Sequence, residues 1–327
     1  MIHYLVMSII FSLAQISPSP LFRLEGKKLI SDEKILIEVD TGEIFLSPEF
    51  TMAAVYDKGR GEVSIFNSSK GEVLRIRALN PVVKFDDEGN FGIVEPNILR
   101  LRVFTKEGDL ILDYGYSENI FISEPYYTFD IREKKAVFAF REREGVSKLL
   151  FFDGNNKIVD ISPGDVYPRK AWISPKGELW LRFYSVKDNR VTHDFVAVYS
   201  ASGKLIKQFE IPRVIYTDFT FQGVILASKH TVYYLEKMEI KKKQKFKELI
   251  INVKSMGEKT YILTGTPVFK EGKYTYTGLR IYELGKPESP VLISQEASSH
   301  PGMLEINGVG GLYIPEKGLF LKMEDLK

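Results

Sequence analysis

The sequence predicts an all-β protein, a β-propeller of four-stranded antiparallel blades, on three observations. Short apolar or alternating runs rich in Val, Ile, Leu and Phe recur along the chain between turn-forming residues. A Gly-bearing turn returns at a spacing of roughly forty residues, the length of one blade. A proline precedes the first strand of several units, at Pro81, Pro125, Pro168, Pro212 and Pro301, where a missing ladder donor is tolerated.

The clearest unit runs from Pro81 to Leu112, with strands expected over 82–86, 90–94, 99–105 and 109–113. Asp-Asp-Glu-Gly, Glu-Pro-Asn and Lys-Glu-Gly separate them. Asp and Asn bond their own backbone and Gly takes positive φ without steric cost, so these breaks are turns for a physical reason. The turn between third and fourth strands returns in IFNSSKGEVL, VFTKEGDLIL, FFDGNNKIV and VYSASGKLI, and more weakly around Lys237 and Lys286. Anchors at 71, 108, 155, 203, 238 and 286 give steps of 37, 47, 48, 35 and 48 residues.

Within this unit, Pro81, then Asp86, Gly89 and Asn90 in the first turn, Arg100 before the third strand and Val103-Phe104 closing it resemble an NHL-type repeat. The other units keep the rhythm, the proline or the second turn and depart in the rest. The resemblance implies a propeller fold that elsewhere serves enzymes, sugar-binding sensors and protein or RNA scaffolds.

In chain order, blades are expected at about 43–78, 82–113, 127–161, 170–210, 216–246 and 249–294. Residues 21–32 read as an irregular lead-in and 33–39 as a lone strand. The segments 303–306, 312–314 and 319–322 are three strands lacking a fourth. Pairing the N-terminal strand with them completes a seventh blade and leaves no open edge; a six-bladed ring is the alternative. Two loops are long, between Tyr114 and Tyr127 and between Gly265 and Tyr276.

The 327 residues carry 44% apolar and 13% aromatic side chains, enough for a large core, and residues 21–327 form one domain. Residues 1–20 read as a signal peptide and leader. Tyr4 to Leu13 is nearly all apolar, and Ser12-Leu13-Ala14 offers a cleavage site, although the only basic residue ahead of the run is His3. The run is too short to span a bilayer. The expected location is therefore periplasmic or extracellular, with the cytoplasm as alternative if the run is an ordinary strand. With no Cys, disulfides and thiol chemistry are excluded. A net charge of +2 and the signal peptide disfavour nucleic acid.

No G-x-S-x-G, Walker-type or H-E-x-x-H motif is present. Four histidines, His3, His193, His230 and His300, make a poor basis for a metal cage. Asp86-Asp87-Glu88 lacks calcium-loop spacing and reads as a turn. Lys241, Lys243, Lys245 and Lys247 alternate along one strand and read as a solvated outer edge. No cofactor or metal is called for.

Propeller geometry puts the connections between blades on one face. Tyr126, Tyr167, Arg169, Arg213, Tyr216 and His300 are the expected ligand-binding residues there, with Lys170 and Arg141 among their neighbours. Tyr and Arg combine large contact area with hydrogen bonding, so such a face suits a protein, peptide or glycan. The expected function is an exported, non-catalytic binding or scaffold module. The alternative is a propeller hydrolase or lyase with a metal in the channel, for which Lys84, Asp130, Asp218 and Glu305 are the evident inner-strand candidates.

Overall fold

The computed structural model describes residues 21–115, 126–141, 146–154, 158–188, 190–220, 223–270 and 273–323. The expected signal peptide and most of the loop before Tyr127 lie outside them. Every described sheet is an antiparallel meander whose strands pair in sequence order, and the fold is a β-propeller. Eight blades follow one another: blade 1 (residues 23–38), blade 2 (42–77), blade 3 (82–115), blade 4 (126–164), blade 5 (167–209), blade 6 (216–245), blade 7 (249–294) and blade 8 (302–322). Blades 1 and 8 have three strands and the other six have four.

Why a given strand takes its place is visible in its burial. In blade 4 the second strand, Lys135–Arg141, is buried from Ala136 to its end and the third, Ser147–Phe152, almost throughout. Both faces of these strands meet a neighbouring blade, so their sequences run continuously apolar. The outermost strand, Ile158–Gly164, has no fully buried residue and alternates instead. The blades interlock through apolar seams. Leu101 and Val103 of blade 3 meet Phe129, Phe138 and Phe140 of blade 4, and Ala139 and Phe151 meet Ala171, Leu181 and Phe183 of blade 5. Each fully buried side chain of this size contributes about 1.5–3 kcal/mol of transfer free energy.

Two expectations about the ends need correction. Seven blades become eight, because residues 21–32 are not an irregular lead-in but hold two strands, Arg23–Glu25 and Lys28–Ser31, which the expected strand at 33–39, found as Lys34–Glu38, joins. The composite blade is not formed, since Lys34–Glu38 pairs with Lys28–Ser31 and not with residues 302–322. The hairpin between them turns on Asp32 and Glu33, both at positive φ (46° and 61°). That turn costs strain in non-glycine residues and carries no sequence signature. Leu24, Leu29 and Val39 repay it by burying against Ala53, Val55 and Phe66 of blade 2.

Blade 1 also touches blade 8, through single contacts rather than a ladder. The Leu24 N–H donates to the Pro315 carbonyl at 2.9 Å, and the Tyr313 hydroxyl donates to the Phe22 carbonyl at 2.9 Å. Phe50 packs edge-on against Tyr313, with ring centres 4.9 Å apart.

The expected long loop after Gly265 is instead a continuation of two strands, Lys259–Lys270 and Lys273–Glu283, into a ribbon that outruns the other strands of blade 7. Among the recurrent turns, Gly108 sits at φ 94°, and a Cβ there would lie 2.9 Å from the Val73 carbonyl oxygen.

Gly302 is required for a different reason: a Cβ at that position would stand 2.4 Å from the Phe50 ring. Gly302→Ala is expected to lower stability by about 1–3 kcal/mol through overpacking, read as a fall in thermal midpoint that Phe50→Leu partly restores. An unchanged midpoint would mean the Phe50 ring gives way freely.

Candidate functional site

Tyr126 opens the innermost strand of blade 4 and Tyr167 that of blade 5, so the two inter-blade connections deliver adjacent rings. Their centres are 4.8 Å apart and nearly perpendicular. Tyr167 in turn stacks on Tyr184, at 5.0 Å. Two guanidinium groups complete the layer: Arg141 over Tyr167 at 4.1 Å and Arg169 over Tyr184 at 4.8 Å. Arg141 is fixed by Asp165 at 2.5 Å and by the Val166 carbonyl at 3.2 Å. Arg169 and Tyr126 stay exposed. Three of the six expected ligand-binding residues thus form one continuous aromatic and cationic surface.

The other three are placed differently. Arg213 is exposed, and its backbone N–H donates to Asp194, whose carboxylate is gripped bidentately by Arg182 at 2.7 and 2.6 Å. Tyr216 belongs to the apolar seam between blades 6 and 7, and burial pushes its hydroxyl up to about 12. His300 Nδ1 lies 3.4 Å from Glu316. Burial opposes ionisation of Glu316, but hydrogen bonds from His300, Ser298 and the Ser299 backbone outweigh it and hold the carboxyl at about 2.

A central cavity of about 1040 Å³ runs between the inner strands of blades 2 to 8, and blade 1 gives it no lining residue. Lys84 and Asp130 meet there, 3.8 Å apart, with the Lys84 ammonium also donating to the Phe129 carbonyl. Asp130 accepts from the Ile173 N–H across the seam at 2.9 Å. Burial is the largest influence on both groups. It pushes Asp130 up to about 6 against the pull of Lys84, and it lowers Lys84 below the usual lysine range against the pull of Asp130. Asp218 lines the same cavity, is raised by burial, and accepts from the Ser255 hydroxyl at 2.5 Å. Glu305, the fourth inner-strand candidate, points to solvent. A half-buried acid and a half-buried amine within reach of each other can exchange protons with a bound molecule.

The remaining charged motifs are structural. Asp86 accepts from the backbone of Glu88, Asn90 and Glu133 and from the Asn90 side chain, so it ties a turn to the next blade. Lys241 pairs with Glu239 and Lys243 lies over Tyr233, along an exposed outer strand. Among the described residues no three His, Asp or Glu side chains stand together as metal ligands, and no helix is long and apolar enough to cross a membrane.

Sequence reasoning missed Tyr184, Ser255 and Glu316. Tyr184 sits inside LWLRFYSVK, which reads as plain strand interior. Glu316 belongs to a turn of blade 8, and only folding brings it to His300.

No protein-family model matches the chain, and no curated protein matches its sequence. Its fold is shared with solved propellers. A streptogramin B lyase is 12% identical, with 83% of this chain and 89% of that chain covered at a TM-score of 0.50. BBS1N, in complex with ARL6DN, is 10% identical over 84% of this chain and 87% of that chain, also at 0.50. Virginiamycin B lyase from Staphylococcus aureus is 14% identical over 83% and 90%, at 0.49. The first two, at identities of 12% and 10%, speak for the propeller architecture alone, which the NHL-type resemblance implied.

Because folded Asp130 titrates above an ordinary carboxyl, its contribution to stability is full below about 3.8 and is lost as pH rises to about 6. Asp130→Asn should therefore raise the thermal midpoint at pH 7, by about 1–2 kcal/mol of stability, and flatten its pH dependence between these limits. A lower midpoint at pH 7 would mean that attraction to Lys84 outweighs burial.

Proposed function

We propose that this protein is an exported, non-catalytic binding propeller that holds a protein, peptide or glycan on the face built from Tyr126, Tyr167, Tyr184, Arg141 and Arg169. The layered rings and guanidinium groups carry this reading. Aromatic rings already packed against one another lose little freedom on binding, and exposed Arg169 adds a planar donor fork. BBS1N, a propeller of similar fold, is found with ARL6DN, so an assembly role is within the fold's known uses. The hydrolase or lyase alternative with a channel metal would need a ligand cluster, which the described residues do not supply.

Glycan and peptide arrays probed with the full chain are expected to give discrete binders whose affinity falls by about 2 kcal/mol, roughly thirtyfold, in Tyr126→Ala and in Arg169→Ala. Binders that ignore both substitutions would move the site elsewhere. Export has its own check. Expressed with its native N-terminus, the mature protein should begin beyond Ala14, and retention of Met1 in a cytoplasmic product would remove export while leaving the binding face.

A further inference from the structure

The binding face has a recess beside it, formed where the innermost strands of blades 3, 4 and 5 begin. It has a volume of about 300 Å³, and its lining includes Val82, Lys84, Tyr126, Thr128, Arg169 and Lys170. Three cations border this recess, and among the described residues no carboxylate lines it. Asp130, whose charge acts on Lys170, is on the strand that lines the central cavity and is engaged by Lys84 and the Ile173 N–H. The neighbouring arginines have acid partners: Arg141 pairs with Asp165 and Arg182 with Asp194. Arg169 rests on the Tyr184 ring and has no acid partner among the described residues. Lys170, half-buried, has neither an ion pair nor a hydrogen bond there.

Holding ammonium groups this way is unfavourable. Burial, first, and then the charges of Lys84 and Arg182 lower the Lys170 ammonium below the usual lysine range, with Asp130 only partly offsetting them. A protein surface without a task for such a group would let it swing into water or pair it. Among the described residues the cations at the recess, Lys84, Arg169 and Lys170, outnumber the acids that act on its lining, Asp130 and Glu43. An entering dianion would supply the missing partner, with two ammonium groups as point charges and the Arg169 fork at the rim. The Tyr126 ring at the mouth would cover the remainder of the molecule.

From this imbalance we infer that the recess binds the doubly charged oxyanion of a small molecule, a phosphate monoester or a dicarboxylate, with Lys170 as its principal counter-ion. The inference deepens the binding reading above by naming the chemistry recognised at that face. It places the specific contact in the recess and leaves the exposed rings for the rest of the ligand. A volume of 300 Å³ is at the small end of ligand sites, which suits a metabolite-sized anion or one anionic group of a larger partner.

The test uses the full chain at constant ionic strength and follows tyrosine fluorescence and heat while sodium succinate or inorganic phosphate is added. Saturable binding with a dissociation constant below about 10 mM is expected for at least one of them. Lys170→Met should weaken it at least about tenfold, whereas Lys170→Arg should stay within a few-fold. Lys242→Met, on the exposed outer strand of blade 6, should change nothing. Phosphate alone binding assigns a phosphate monoester and succinate alone a dicarboxylate. The inference is overturned if binding is unsaturable, if Lys170→Met leaves it intact while folded by circular dichroism, or if Lys242→Met costs as much. Array binders lost in Tyr126→Ala together with unsaturable anion titrations would refute the oxyanion and keep the face. Lys170-dependent anion binding with empty arrays would do the reverse.

Discussion

Everything in this fold depends on the seams between blades. A four-stranded meander has two apolar faces and cannot bury either by itself, so each blade completes its core only against its neighbours. Phe138 and Phe140 serve blade 4 by contacting blade 3, while Val137 and Ala139 of the same strand contact blade 5. Alternate residues of one strand thus belong to two cores. The inner strands, drawn to a common centre by these seams, leave the cavity and bring Lys84 to Asp130. The connections between blades are forced onto one face, and Tyr126 and Tyr167 come with them.

The interior polar groups show the cost of that geometry. Inner strands have less apolar cover than middle ones, and the charged residues they carry are partly withdrawn from water. On the middle strands charged residues are closely paired, as at Arg182 with Asp194 and Arg280 with Glu248. Lys84, Asp130 and Lys170 are held in less favourable states, and such strain is tolerated where a site must be ready for something absent.

The sequence revealed the repeat and the blade boundaries because proline before a strand and glycine in a tight turn have single physical meanings. The expected blades at 82–113 and 249–294 correspond to 82–115 and 249–294 in the fold. It concealed blade 1, whose strands have three to five residues and whose second turn uses Asp32 and Glu33 where glycine would have announced it. For the site, topology was enough to gather Tyr126, Tyr167 and Arg169. It could not decide whether a tyrosine at a strand start faces solvent or seam, and Tyr216 took the seam. Nor could spacing show that Lys170 would lack a partner, since pairing is settled between blades.

The junction of Phe22, Phe50 and Tyr313 bears on how the chain reaches this state. Tyr313 and Phe22 are 291 positions apart, the long-range kind of contact that slows folding. During synthesis from the N-terminus, blades 2 to 7 can stack on one another as they emerge, but the Phe50 side of blade 2 stays without its partner until the last strands are made. The apolar surface around Leu46 and Phe50 is therefore the part of the nascent protein exposed for longest. A chaperone or a second nascent chain would find its foothold there.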